Sequence, residues 1–489
     1  MPPLDQNNQG DSASYTTGDV SNVSPKAKSK GPLIGLIVII LIAIGAFVFY
    51  NNSKTTTTTP ATETTAETGT ADDGLTIFWA EWKPADYLEQ LSKDFTKETG
   101  IKVTVVQDSW GTWTDTFFNE MKKKGRSRFD LVVGDSQWLG RGSQEGDYVE
   151  LTKWIGDNNM AQKFTDASLL GYAEYPKGSQ HYWALPAEGD AAGFAYRKDL
   201  FEDPKEKADF KAKYGYDLTP PDTWLHLKDI AEFFYRPKQD FYGVLVWTEP
   251  NYDGITMGLD SLVWAWGANL GDPKTYKVDG ILNTKEGVDA LKFYKQLYQY
   301  TSPKWAQYYL DTNSSSNQPM IDGKVAMGMG YFAIAPELLD KQKNPNYYDK
   351  IGFFAAPKGP KGQAASLGGQ GISIVSYTKK KDQAFKFLEW FARDDVQKKW
   401  AELGGLTCNK TVLASTEFLN ASPINKPFVE SMNIVKDFWA VPEYSKLITI
   451  SQRYWYKYVV QGTISAEDAM NNISKEWETV FDENGYYKQ

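Results

Sequence analysis

Residues 75–133 read LTIFWAEWKPADYLEQLSKDFTKETGIKVTVVQDSWGTWTDTFFNEMKKKGRSRFDLVV. Leu75 to Ala80 is a short apolar run of strand type. From Ala85 to Thr99, Tyr87, Leu88, Leu91 and Phe95 recur at helical spacing, and Gly100 stops the pattern. Ile101 to Val106 alternates as a strand does. Trp113 to Lys124 reads as a second helix, and Phe129 to Val133 as a third strand. Strand, helix, strand, helix, strand at this spacing predicts βαβ units and a parallel sheet. In such sheets ligands bind beyond the carboxyl ends of the strands, at a switch in strand order.

The residues just past each strand are therefore informative. The first strand is followed by Glu81-Trp82-Lys83. The second runs into Gln107-Asp108-Ser109-Trp110, with Trp113 close behind. The third leads into Gly134-Asp135-Ser136-Gln137-Trp138. Any one of these tryptophans could simply pack a helix onto the sheet. Three in equivalent places point to a ligand with flat apolar faces. Aromatic rings cover the CH faces of a sugar, while carboxylates and amides pair with its hydroxyls.

The whole chain bounds the alternatives. Its 489 residues suggest more than one compact unit. With 53 Lys+Arg against 62 Asp+Glu the net charge is −9, which gives no reason to seek nucleic acid. Cys408 is the only cysteine, so no internal disulfide forms and no lipidated cysteine follows the N-terminal apolar segment. His181 and His226 are the only histidines, which argues against a zinc site. Aromatic residues reach 15%, with 17 Trp, 29 Tyr and 25 Phe.

Residues 1–31 are polar and read as a disordered cytoplasmic tail. Pro32 to Tyr50, PLIGLIVIILIAIGAFVFY, carries no charge and as a helix rises roughly 28 Å, a membrane-spanning length. Lys26, Lys28 and Lys30 precede it, which places the N-terminus inside and the rest outside. A cleaved signal peptide is the alternative. Residues 51–73 are Thr-rich and read as a stalk. The folded body is then 74–489. Asn51, Asn313, Asn409, Asn420 and Asn472 open N-x-S/T motifs that permit glycosylation.

From Leu75 to Tyr487 the chain resembles the extracellular solute-binding proteins of ABC importers, in the group that includes maltose- and oligosaccharide-binding proteins. The resemblance rests on motifs in the family's order. They are LSKDFTKETGIKVTVV (91–106), FDLVVGDSQWL (129–139), YWALPAEGDAAGFAYRKDLF (182–201), PPDTWLHLKDIAEFF (220–234), MIDGKVAMGMGYFA (320–333), ASLGGQGISIVSYTKKKDQAFKFLEWF (365–391) and GTISAEDAMNNI (462–473). Arg197 and His226 depart from the usual residues. The resemblance implies a two-lobed α/β clamp of periplasmic-binding-protein type. One lobe is expected at about 75–187 with 355–422, the other at about 193–350 with 423–489. Hinges are expected near Pro186–Gly193 and Ala355–Pro357. It also implies a monomeric receptor that closes on a sugar and delivers it to an ABC permease, without cofactor, metal or catalysis.

The strand ends and the resemblance together nominate contacts. Glu81, Trp82 and Trp110 come after the first two strands, and Gln137 and Trp138 after the third. Glu188 and Asp190 fall in the expected hinge loop, where two carboxylates among small residues should not be buried without partners. Glu249 and Tyr252 form an acidic-Pro-aromatic element. Tyr331 and Phe332 match the place of a family ring that stacks on sugar. Gly369 and Gln370 lie in a Gly-rich loop whose bare backbone could approach a ligand. Arg453 is a weaker candidate near the C-terminus, beside Trp439 and Trp455. Trp264 and Trp266 read as core, and Cys408 as a packed thiol. A receptor for a polyol or polyamine, a surface glycoside hydrolase and a transporter-independent sensor are the competing readings.

Overall fold

The first apolar run forms β1 (Leu75–Ala80), and the alternating one forms β2 (Val103–Asp108) beside it, parallel and in register from Leu75↔Val103 to Ala80↔Asp108. Between them the helix Lys83–Thr99 buries Ala85, Leu88, Leu91 and Phe95 on one face and ends at Gly100, whose φ of 77° is the left-handed cap glycine tolerates best. A second helix, Trp110–Met121, leads to β3 (Leu131–Asp135), parallel to β1 on its other side. A computed structural model describes residues 74–488 apart from 252, 305–309, 312, 313 and 316. The segments 1–31, 32–50 and 51–73, together with Tyr252 and the motif at Asn313, lie outside the described residues. Among the described residues no helix is long and apolar enough to cross a membrane.

The remaining strands are β4 (Leu185–Arg197), β5 (Tyr242–Leu245), the short pair β6 (Leu310–Asp311) and β7 (Ser314–Ser315), β8 (Val325–Tyr331), β9 (Ile351–Ala355), β10 (Ala365–Ile374) and β11 (Val435–Lys436). The sheet runs β2-β1-β3-β10-β4-β8-β5, with β9 on β4 and β11 on β10. Its logic lies in β4. Residues 185–191 of this strand pair antiparallel with β10, and residues 192–197 pair with β8 and β9. One continuous strand therefore serves two halves of an α/β fold. The first half packs around Phe78, Phe117 and Phe129, with Phe78 and Phe129 stacked at 4.3 Å. The second packs around Phe194, Phe354 and Trp224, with the two phenylalanines at 5.1 Å. Burying each such ring stabilises by about 1.5–3 kcal/mol.

Three sequence expectations change. The second and third strands run two residues later than alternation suggests, so Asp108 and Asp135 are strand ends and Trp110 and Trp138 open helices. The expected hinge loop carrying Glu188 and Asp190 is the interior of β4, because Gln370 and Gly368 of β10 pair with them. The Gly-rich loop at 368–371 is likewise interior strand. Gly369 has φ +79°, and a Cβ there would lie 2.4 Å from the Glu188 carbonyl oxygen, so glycine is required for the close approach of the two strands. Asn409 is also withdrawn from glycosylation in the folded chain: its side chain is wholly buried, accepts from the Val412 N–H and donates to Asp394.

Candidate functional site

The carboxyl ends of β1, β2 and β3 lie side by side, as parallel pairing demands. Across three adjacent strands runs a polar relay. The Trp79 Nε1–H donates to Gln370 Oε1 at 2.7 Å, and Gln370 Nε2 donates to Asp135 at 2.7 Å. Register places it, since Gln370 of β10 stands opposite Asp135 of β3. On the outer side, Asp108 accepts from the Ser109 N–H and the Thr112 hydroxyl, both at 2.9 Å, and so starts the helix that presents Trp110. Trp82 stands edge-on between Trp79 (5.7 Å) and Trp110 (5.2 Å). Its Nε1–H is buried and has no hydrogen-bond partner among the described residues.

The second half faces this wall with two elements. Glu249 and Asn251 precede the helix Gly254–Trp266, which Asp253 opens. The helix Tyr444–Tyr456 presents Tyr444, Ile448 and Gln452. Between the walls lies a cavity of about 440 Å³, a size suited to a small ligand. Gln137 reaches across it, with Nε2 3.5 Å from Asp253, at the outer limit of a hydrogen bond. Asp253 keeps an exposed edge on the cavity. Burial of the rest, then repulsion from Asp135, pushes its carboxyl well above the usual range.

Behind the cavity, Asp437 accepts from Ser136 at 3.2 Å and pairs with Lys177 at 3.0 Å. It borders a second, more apolar cavity of about 410 Å³, walled by Trp264, Tyr276 and Trp439. The first cavity is the stronger site, because it lies at the strand ends and polar groups from both halves converge on it.

Of the residues singled out from sequence, the structure brings Trp110, Gln137 and Glu249 to the cavity, and Trp82 and Gln370 to its supporting wall. Glu81 is exposed at the rim of β1. The rest serve elsewhere. Trp138 is 1% exposed and lies 4.3 Å from Trp113, against Phe117 and Phe118, so it is core. Phe332 is core too, packed on Gly193 and Phe428. Both Glu188 oxygens accept from the Leu406 N–H at 3.0 Å, and burial pushes this carboxyl well above the usual range. Asp190 accepts from the N–H groups of Ala191 and Ala333 and is pushed by burial up to about 8. Tyr331 donates to the Leu367 carbonyl and packs on Trp247 and Gly368, which ties β8 to β10. Arg453 points away, paired with Glu476 over the Tyr454 ring. Its neighbour Gln452 faces the cavity instead.

Sequence reasoning missed Asp253, Tyr444, Gln452 and the partnering role of Trp79. Gln452 and Tyr444 lie eight apart on one helix, and that spacing was the available signal. Trp264 is largely buried yet edges the second cavity, and Trp266 is core against Phe293. Cys408 is the buried thiol expected, its pKa pushed up by burial.

A family model described as bacterial extracellular solute-binding protein matches residues 80–398. The maltotriose-binding protein of Pyrococcus abyssi is 25% identical over 305 residues, which is 60% of this chain and 57% of that protein. The chain thus matches under two thirds of that relative's length. A probable amino-acid ABC transporter periplasmic-binding protein of Sinorhizobium fredii is 22% identical over 354 residues, covering 69% of this chain and 73% of the relative. Among solved structures, maltose-bound MalE3 of T. maritima superposes with a TM-score of 0.69 at 20% identity, covering 83% of this chain and 99% of the other.

Proposed function

Because the chain belongs to the bacterial extracellular solute-binding proteins, we propose that it captures a carbohydrate in the 440 Å³ cavity and delivers it to an ABC permease. The two-lobed α/β fold of the family supplies the clamp. The lobes are about 75–187 with 355–422, and about 193–350 with 423–489. The observation that carries the reading is the cavity itself. Trp110 and Tyr444 offer ring faces, while Asp135, Gln137, Asp253 and Gln452 offer hydroxyl partners from opposite walls. Trp82, with an unpartnered Nε1–H, supports the wall. The folded body faces outward, as in the family, and the apolar segment 32–50 anchors it through the stalk. Intact-mass analysis of native protein tests the anchor; a mature N-terminus after residue 50 refutes it.

A thermal-shift screen against mono- and disaccharides, polyols and polyamines tests the ligand class. Binding to the folded state alone raises stability by RT ln(1 + [L]/Kd), roughly 2.7 kcal/mol at a hundredfold excess over Kd. A shift with one or more carbohydrates is expected. Release of reducing ends from a bound oligosaccharide would overturn the receptor reading in favour of a hydrolase.

A further inference from the structure

The polar relay behind the cavity has a fixed direction. An indole N–H donates and never accepts, so the Trp79 Nε1–H can face only the carbonyl oxygen of the Gln370 amide. That turns the amide nitrogen to Asp135, whose Oδ1 accepts from it at 2.7 Å. The reversed amide would set N–H against N–H at Trp79 and a carbonyl oxygen against the carboxylate. Trp79 is 0% exposed and Gln370 2%, so water cannot replace either bond.

The backbone is arranged for this contact. The pairs Ile77↔Leu131 and Gln370↔Asp135 put Trp79, Asp135 and Gln370 on one face of the sheet, because Trp79 and Asp135 lie an even number of residues beyond Ile77 and Leu131. The strand β3 lies between β10 and β1, so the Gln370 side chain crosses over it to reach Trp79. The crossing occurs at an irregular point. The β10–β4 register shifts between Gln370 and Gly371, and Gly369 on the other side has φ +79°. Irregularities of this kind re-aim a side chain and gather beside functional sites.

The relay ends on a residue that a ligand can reach, since Asp135 lines the cavity. An aspartate free at a strand end samples several rotamers. One that is already held on a single oxygen has less freedom to lose when the ligand arrives.

We propose that Trp79 and Gln370 are positioning residues of this site, which preset the Asp135 carboxylate as the acceptor for one hydroxyl of the ligand. This rests on the carbohydrate reading and deepens it, because it makes Asp135 the group that selects a hydroxyl at one place on the ligand. Trp79 and Gln370 act through Asp135 and do not touch the ligand themselves.

A double-mutant cycle separates positioning from support of the fold. The full-length chain in detergent is titrated calorimetrically with maltose, glucose, sorbitol and ribitol, and urea unfolding of each ligand-free variant gives its folded fraction. Gln370→Leu is expected to weaken binding per folded molecule by about ten- to hundredfold, as loss of a hydrogen bond to a charged group does. Asp135→Ala should lose at least as much. Added to Asp135→Ala, Gln370→Leu should cost less than about twofold more, because the group it acts through is gone. Trp79→Phe keeps a ring and removes the N–H, and gives a smaller loss in the same direction should Gln370→Leu fail to fold. If these variants bind as the wild type does, or if Gln370→Leu costs the same with and without Asp135, the positioning inference falls and the carbohydrate reading stands. If the wild-type chain binds none of the four compounds, the carbohydrate reading falls and the inference falls with it.

Discussion

At the scale of single residues, two tryptophans that look alike in sequence have opposite roles. Trp138 is enclosed by Trp113, Phe117 and Phe118, whereas Trp110 keeps a face on the cavity. Trp138→Ala is therefore expected to cost about 3–5 kcal/mol of stability, the range for a buried ring lost from a core. Ligand affinity per folded molecule should be unchanged. Trp110→Ala should weaken binding by about 1–3 kcal/mol, as a single anchoring ring does, and barely move the unfolding midpoint without ligand. Denaturant unfolding and calorimetric titration of the two variants separate these effects. Two equal stability losses would show that Trp110 is core as well. The expectation that strand ends face a site was legible in sequence, and Trp110 and Gln137 line the cavity. It fails at Trp138 because the helix 138–144 starts on that residue and turns its indole inward. Asp253 was illegible because its importance comes from Asp135, 118 positions away in the chain and adjacent in space.

At the scale of elements, β4 and β10 carry the connection between the halves, and their small residues allow it. Gly369→Ala forces a left-handed backbone on alanine and a Cβ into the Glu188 carbonyl. A loss of about 1–3 kcal/mol is expected, measured by urea unfolding. Asp190 on β4 adds a pH term. Its carboxyl is pushed up to about 8 by burial, against an unfolded value near 3.9. Between those values the folded chain holds the proton more tightly than the unfolded chain. The contribution is thus fully present below about pH 4 and is lost as pH rises towards 8. Glu188, also pushed up by burial, acts with the same sign. Asp190→Asn keeps the acceptor for the Ala191 and Ala333 N–H groups without the charge. Its stability should fall less than wild type between pH 5 and pH 8, by about 3–4 kcal/mol. Parallel falls in melting temperature for the two proteins would sink this account. The βαβ half was readable from periodicity because local spacing determines it. The burial of Glu188 and Asp190 was not, because it depends on β10 and on residues 332–333 and 406 arriving from far along the chain.

At the scale of the whole molecule, the cavity walls belong to two halves that share few continuous strands. Asp135 and Gln137 stand on one side, and Asp253, Tyr444 and Gln452 on the other. A ligand that touches both walls binds the closed arrangement better than any open one, and only that difference can shift the population. Each half is packed too densely to deform, so the change falls on the segments that join them. The strand β4 changes partners between Ala191 and Ala192, from β10 to β8, and a small backbone rotation there reorients one half against the other. Saturating ligand is therefore expected to reduce the radius of gyration in small-angle scattering, with each half's internal packing preserved. The Tyr331–Leu367 hydrogen bond and the Asp190–Ala333 contact bracket this point and should persist in both states. Asp253→Asn alters a polar group on only one wall, so it should need more ligand to reach the same compact limit without altering that limit. An unchanged radius at calorimetrically verified saturation would mean that the joined halves do not move on binding, and the clamp would have to be abandoned for a preformed pocket.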